Sequence, residues 1–187
     1  MIKNDVIFST ATRVLSERPD ATLQTIAAEA GISRTTIFNR FPTRESLLQA
    51  LSNDAFKQIH RTMSIFSEAS TSPFPQRLHE VTQRLIPIAP QSIFLRNVPT
   101  DKNKMNYLWL EATSPLMKYL LQLQNERLIS QEIPGRWLVA SYVSLLFAAW
   151  DEIIMGELGT VQASRLIVHS WLQGAGTSSD KRQIELR

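Results

Sequence analysis

An all-α fold is predicted by three features of the sequence. Apolar residues recur with the 3.6-residue period of a helix along most of the chain. No segment alternates apolar and polar residues convincingly, and no Asn-Gly or Asp-Gly hairpin signal occurs. Glycine is scarce, with six in 187 residues. No G-x-G-x-x-G or G-x-x-x-x-G-K loop can therefore be written, which removes the common nucleotide-binding folds. The expected architecture is a small three-helix N-terminal domain followed by a larger helical domain, about nine helices in all.

Helix punctuation gives the order of elements. The first helix is expected over residues 5–17, with Ile7, Ala11, Val14 and Leu15 on one face and Pro19-Asp20 after its end. Thr22 is a good N-cap for a short second helix, 23–30, whose inward residues are Leu23, Ile26, Ala27 and Ala30. Gly31 stands where a helix end favours a left-handed residue. Ser33 caps a third helix, 34–41, which Pro42 stops, and Thr43 caps a long fourth. That helix carries Leu47, Leu48, Leu51, Ala55, Ile59 and Met63, and reaches Phe66 at roughly 35 Å, counting ~1.5 Å per residue. The stretch SEASTSPFPQ reads as a loop. Further helices are expected over 76–88, 91–98 and 106–128, the last kinked or split by Pro115. An eighth covers 136–157 and a ninth 161–172, before a loose polar tail.

Composition narrows the function classes. Hydrophobic residues make up 43% and charged residues 20%, ordinary values for a folded chain. With no cysteine there is no disulfide, thiolate metal site or cysteine nucleophile, and a cytoplasmic setting is expected. The N-terminal residues have too short an apolar stretch for a signal peptide, so the mature chain is expected to begin near Met1. The uncharged run Trp137–Trp150 is shorter than the ~20 residues that span a bilayer, and is expected to be a buried helix with no membrane partner. His79-Glu80-Val81-Thr82-Gln83 lacks the second histidine of a zinc H-E-x-x-H helix, and no G-x-S-x-G occurs. No catalytic residue, metal ligand or cofactor is therefore assigned, and an enzyme is not expected.

The net charge of +3 is mild, but it is unevenly placed. Residues 33–61 hold five basic side chains (Arg34, Arg40, Arg44, Lys57, Arg61) against Glu45 and Asp54, whereas residues 131–187 hold five basic and six acidic ones. An anionic partner should therefore meet the N-terminal part.

That part contains LQTIAAEAGISRTTIFNRF, residues 23–41. Two short helices joined by a tight turn need a small residue where they cross, a glycine at the turn and apolar residues to lock them together. Ala27, Gly31, Ile32 and Ile37 meet those needs. Ser33, Arg34, Thr35, Thr36, Asn39 and Arg40 are left outward, all polar and none acidic. Arginine toward guanine, asparagine toward adenine and threonine toward base edges are contacts that a major groove invites. The segment is a helix-turn-helix with a recognition helix.

Phe38, Phe41, Arg44, Glu45 and Leu48 follow the spacing aromatic-x-x-Phe-x-x-[Lys/Arg]-[Glu/Asp]-x-x-Leu. Here the chain resembles the TetR family of bacterial transcriptional regulators. The C-terminal region, where Ile133-Pro134 precedes an apolar helix ending in Trp150-Asp151-Glu152, also looks like that family's regulatory domain. The resemblance implies that Arg34, Thr35, Thr36, Asn39 and Arg40 touch double-stranded operator DNA. It also implies that Arg44 holds a phosphate at the start of helix four. With Thr22, Ser33 and Thr43 these form the expected DNA-binding set. Phe38 stands where family members usually carry tyrosine, and no phosphate contact is assigned to it.

The expected domains are 1–46 for DNA binding, 47–174 for ligand binding and dimerisation, and 175–187 for a flexible tail. Residues 137–150 are apolar nearly all round, which calls for burial on both sides, one of them against a partner. In helix nine, Ala163, Ile167, Ser170 and Gly174 form a small-residue stripe, expected in a homodimer interface. The resemblance further implies an effector pocket among the central helices. Phe94, Met105, Trp109 and Met117 are its expected lining, suited to a small, largely apolar organic molecule. The expected function is a ligand-responsive transcriptional repressor; an architectural or division-associated DNA-binding protein of the same fold is the alternative.

Overall fold

The computed structural model describes residues 4–68, 72–88 and 102–175. Among them nine α-helices occur and no strand. They are α1 (Asn4–Glu17), α2 (Leu23–Glu29), α3 (Arg34–Arg40), α4 (Arg44–Met63), α5 (Phe74–Leu85), α6 (Lys102–Ala112), α7 (Ser114–Asn125), α8 (Gly135–Met155) and α9 (Thr160–Ala175). The fold is all-α, with an N-terminal helix-turn-helix and a larger helical remainder. The helix expected over 91–98, Phe94 and the tail beyond residue 175 lie outside the described residues.

Internal contacts divide the chain into two compact units. One runs through Lys57 and includes α6 up to Leu108; the other begins at Gln58 and resumes at Trp109. The division falls inside α4, later than the 46/47 boundary expected from sequence.

In the first unit, Ile7, Ala11 and Val14 of α1 are buried, as are Leu23, Ile26 and Ala27 of α2 and Ile37 of α3. Phe41 closes the C-terminal end of α3 and lies 6.1 Å from the Phe8 ring. Gly31 adopts φ +64°, and the N–H of Ile32 returns to the carbonyl of Ala27 at 2.9 Å. This left-handed step lets the chain leave α2 and begin α3 within four residues, at little strain only for glycine.

In the second unit, α9 packs on α5 and α8, and α7 on α8. Leu78, Val81, Leu85, Leu116, Leu120, Leu138, Tyr142, Leu146, Trp150, Ala163, Ile167 and Trp171 form its core. Buried polar groups there find partners: Tyr142 Oη lies 2.8 Å from Thr82 Oγ1, and the Trp171 indole N–H donates to the Leu138 carbonyl at 3.0 Å. Burial pushes the Tyr142 phenol well above its ordinary range.

Two expectations shift in detail. The α-helical part of α4 is twenty residues, and Ser64–Ser67 continue as a 3-10 turn. The buried Arg77 of α5 donates to the carbonyls of Ile65 and Glu68, satisfying acceptors that a helix end leaves open. The expected 106–128 helix is split at Thr113, one residue before α7 begins, with Pro115 in the first turn where its missing N–H costs nothing.

Helix α8 spans twenty-one residues and includes Asp151 and Glu152, so it outruns the uncharged stretch. It is the one described helix long and apolar enough to cross a membrane. One face, Leu138, Val139, Tyr142, Leu146, Ala149 and Trp150, is buried in the core of its unit. Among the described residues, the helix is therefore covered on one side.

Candidate nucleic-acid interface

Three helix starts in the first unit share one capping device. Thr22 Oγ1 accepts the Thr25 N–H at 3.2 Å, Ser33 Oγ accepts that of Thr36 at 3.1 Å, and Thr43 Oγ1 accepts that of Ser46 at 3.1 Å. In each case the residue three positions on is also a hydroxyl. It meets its partner at 3.0 Å in Thr22/Thr25 and 2.8 Å in Ser33/Thr36, and Ser46 Oγ accepts the Thr43 N–H at 3.2 Å. Caps of this kind contribute about 1 kcal/mol each. They fix where α2, α3 and α4 begin, and so which side chains α3 presents. Thr22, Ser33 and Thr43 are exposed, but the Thr36 hydroxyl is half-buried and held by Ser33.

Arg34, Thr35, Phe38 and Asn39 form the exposed face of α3. The Arg34 guanidinium lies over the Phe38 ring, 5.3 Å from its centroid, a cation–π contact between residues one turn apart. Phe38 is 37% exposed. The ring absent from the expected DNA-binding set thus stands beneath an arginine inside it. The i,i+4 spacing of Arg34 and Phe38 is the signal that could have shown this. Arg40 is half-buried near the end of the helix.

Arg44, expected to hold a phosphate, is engaged by the backbone of its own chain. Its Nε donates to the Ala21 carbonyl at 3.2 Å and an Nη to the Pro19 carbonyl. These hydrogen bonds tie the start of α4 to the α1–α2 connection. Arg13 and Arg18 both donate to the Glu29 carboxylate, at 2.9 and 3.0 Å. These hydrogen bonds, Arg13 first, hold the Glu29 carboxyl below its usual range. The cation of the expected set with an exposed side chain is therefore Arg34.

The other expected sites are scattered. Trp109 meets Phe147 edge-on at 5.5 Å, in the second half of α8. Met117 lies at the start of that helix, its Sδ 3.1 Å from where a Cβ on Gly135 would stand. Those points on α8 are twelve residues apart, about 18 Å along the axis at ~1.5 Å per residue. Met105 is half-buried one turn before Trp109 on α6. In the expected dimer stripe, Ala163 and Ile167 are 0% and 2% exposed, inside their own chain's core, whereas Ser170 and Gly174 are exposed. A different set of exposed residues flanks those two. On α8, Trp137, Ala140, Ser144 and Ala148 share one exposed face. Between it and α9 runs a groove of about 490 Å³, whose walls include Trp137, Ser144, Ser170 and Gly174.

Residues 7–51 match the sequence model of the bacterial regulatory proteins, tetR family. The HTH-type transcriptional repressor LfrR of Mycolicibacterium smegmatis (strain ATCC 700084 / mc(2)155) is 28% identical over 148 residues, 78% of this chain and 76% of that protein. The crystal structure of LfrR from Mycobacterium smegmatis in complex with proflavine matches with a TM-score of 0.75 at 23% identity, covering 92% of this chain and 96% of that one. The MbdR regulator from Azoarcus sp. CIB matches with a TM-score of 0.75 at 16% identity, covering 91% and 97%. The helix-turn-helix thus lies inside the segment that the tetR-family model matches, and the fold is shared with these regulators along almost the whole length of the chain.

Proposed function

We propose that this regulator is a homodimeric repressor that a small, largely apolar organic molecule releases from its operator. The observation that carries the DNA half of this reading is the α3 face. Arg34, Thr35 and Asn39 stand exposed on a helix whose start is fixed by Ser33 and which carries no acidic residue. A recognition helix reads base edges from such a face, and two copies reading half-sites one DNA turn apart require a two-fold dimer. A chromosomal target puts the protein in the cytoplasm. Repression and release by a ligand are supported by LfrR, a repressor by name whose crystal structure holds proflavine. Helix α4 begins in the DNA-contacting unit and ends in the other, so it is one covalent path by which a ligand in the second unit reaches the first.

Selection of bound DNA from a random library, followed by titration of the selected site with proflavine, tests both halves. A palindromic site bound by a dimer, and released in a saturable way by proflavine or by another planar organic compound, is expected. Recovery of no consensus sequence would overturn the operator reading. Tight operator binding unaffected by proflavine or by a panel of other planar organic compounds would overturn release by such a ligand.

A further inference from the structure

Trp150 is the least explained residue of the second unit. It is 2% exposed, yet its indole N–H has no hydrogen-bond partner among the described residues. The other core indole N–H of that unit, on Trp171, has two acceptors, and the buried Tyr142 phenol has one. A buried donor left unpaired is costly and uncommon in native proteins. The rings beside it form a series. Phe147 meets Trp150 edge-on at 5.1 Å and Trp109 meets Phe147 at 5.5 Å, both in T-shaped geometry. Trp109 and Phe147 are half-buried, so the series runs from the core outward.

We infer that the effector is a neutral, planar aromatic compound bearing a carbonyl or pyridine-type acceptor, whose rings pack on Trp109 and Phe147 and whose acceptor takes the Trp150 N–H. This rests on the ligand-release reading above and specifies its ligand. An indole N–H donates and cannot accept, so the ligand must supply the acceptor. None of the three rings carries a charge, and taking a carboxylate into the core beside Trp150 would cost its desolvation, so a neutral acceptor fits. Flat rings offer edge and face surface to the two outer side chains.

Fluorenone and fluorene test this, being tricycles of one shape with and without a carbonyl. Calorimetric or fluorescence titration of the DNA-free dimer should show fluorenone bound about fivefold more tightly, the ratio one net hydrogen bond gives. In Trp150→Phe that preference should vanish while fluorene affinity stays within about twofold, given that the ring is kept. Should the variant not fold, the parent still answers. Its Trp150 indole N–H resonance, identified by elimination with Trp109→Phe, Trp137→Phe and Trp171→Phe, should move downfield with fluorenone and not with fluorene. Equal affinities in the parent, a preference that survives Trp150→Phe, an unmoved indole resonance, or no binding of either tricycle would each overturn the inference. Operator release is read separately: fluorenone that binds through Trp150 but leaves the operator complex intact would overturn the ligand-release reading and leave this binding site standing.

Discussion

Arg34 and Arg44 stand ten residues apart and face different chemistry. Arg34 is exposed over the Phe38 ring, which limits its rotamers before DNA arrives, so Arg34→Ala should cost about 1–3 kcal/mol on a selected operator and relax preference at one base pair per half-site. Phe38→Ala should weaken the same site less, while Phe38→Tyr, which keeps the ring, should not; electrophoretic competition with single-base operator variants reads all three. Arg44 donates to two backbone carbonyls, so Arg44→Ala should lower stability by about 1–3 kcal/mol in urea titration and leave the salt slope of DNA binding unchanged. A slope flattened by about one unit per subunit would restore the phosphate role. Glu29 adds a pH dependence. Its folded pKa is depressed below the unfolded value, so the stability it contributes is present above that value and lost as pH falls through the folded one. Thermal melts of Glu29→Gln should therefore approach those of the parent as pH drops through the acidic carboxylate range.

At the scale of elements, what could be read from sequence was what short-range chemistry decides. Thr22, Ser33 and Thr43 announce helix starts because a hydroxyl cap acts within three residues, and Gly31 announces the turn because few residues accept its φ. The outward face of α3 followed from those boundaries. Roles set by distant partners were not legible. Nothing near Arg44 in sequence shows that the carbonyls of residues 19 and 21 lie within its reach. Likewise, the spacing of Trp150 could not show that its N–H is orphaned. The connection after α7 gives an element-scale prediction. Arg127 adopts φ +59° where the N–H of Leu128 returns to the Leu123 carbonyl, the position at a helix end that glycine usually holds. Arg127→Gly should relieve that strain, partly offset by the entropy of glycine, for a net gain of about 0.5–1 kcal/mol. Calorimetry should record a melting temperature about 2–4 °C higher per kcal/mol gained.

The whole molecule turns on which surface a second copy covers. The stripe Ala163, Ile167, Ser170, Gly174 lies along one face of α9, yet its first half is buried inside the chain and its second half is open. Packed helices cross at an angle, so one face can be core at one end and surface at the other, and side-chain periodicity alone does not record the crossing. The exposed half continues onto α8 through Trp137, Ala140, Ser144 and Ala148, around a groove with small side chains at its edges. Small residues let two helices approach closely, and Trp137, 69% exposed, offers the large aromatic surface that dominates interface energetics. Ser170→Arg places a charge on this surface without touching the core, because Ser170 is exposed in the single chain. In a dimer closed over the groove, that charge meets its symmetry mate or a desolvated apolar wall, a strongly unfavourable burial. Sedimentation should show the parent as a dimer at micromolar concentration and Ser170→Arg shifted to monomer, with helical circular dichroism unchanged. Ala163→Arg is the contrasting variant: its side chain would enter the protomer's own core, so it should unfold the second unit and lose helicity rather than give a folded monomer. A parent that sediments as a monomer, or a Ser170→Arg protein that remains fully dimeric, would move the two-fold contact away from this face.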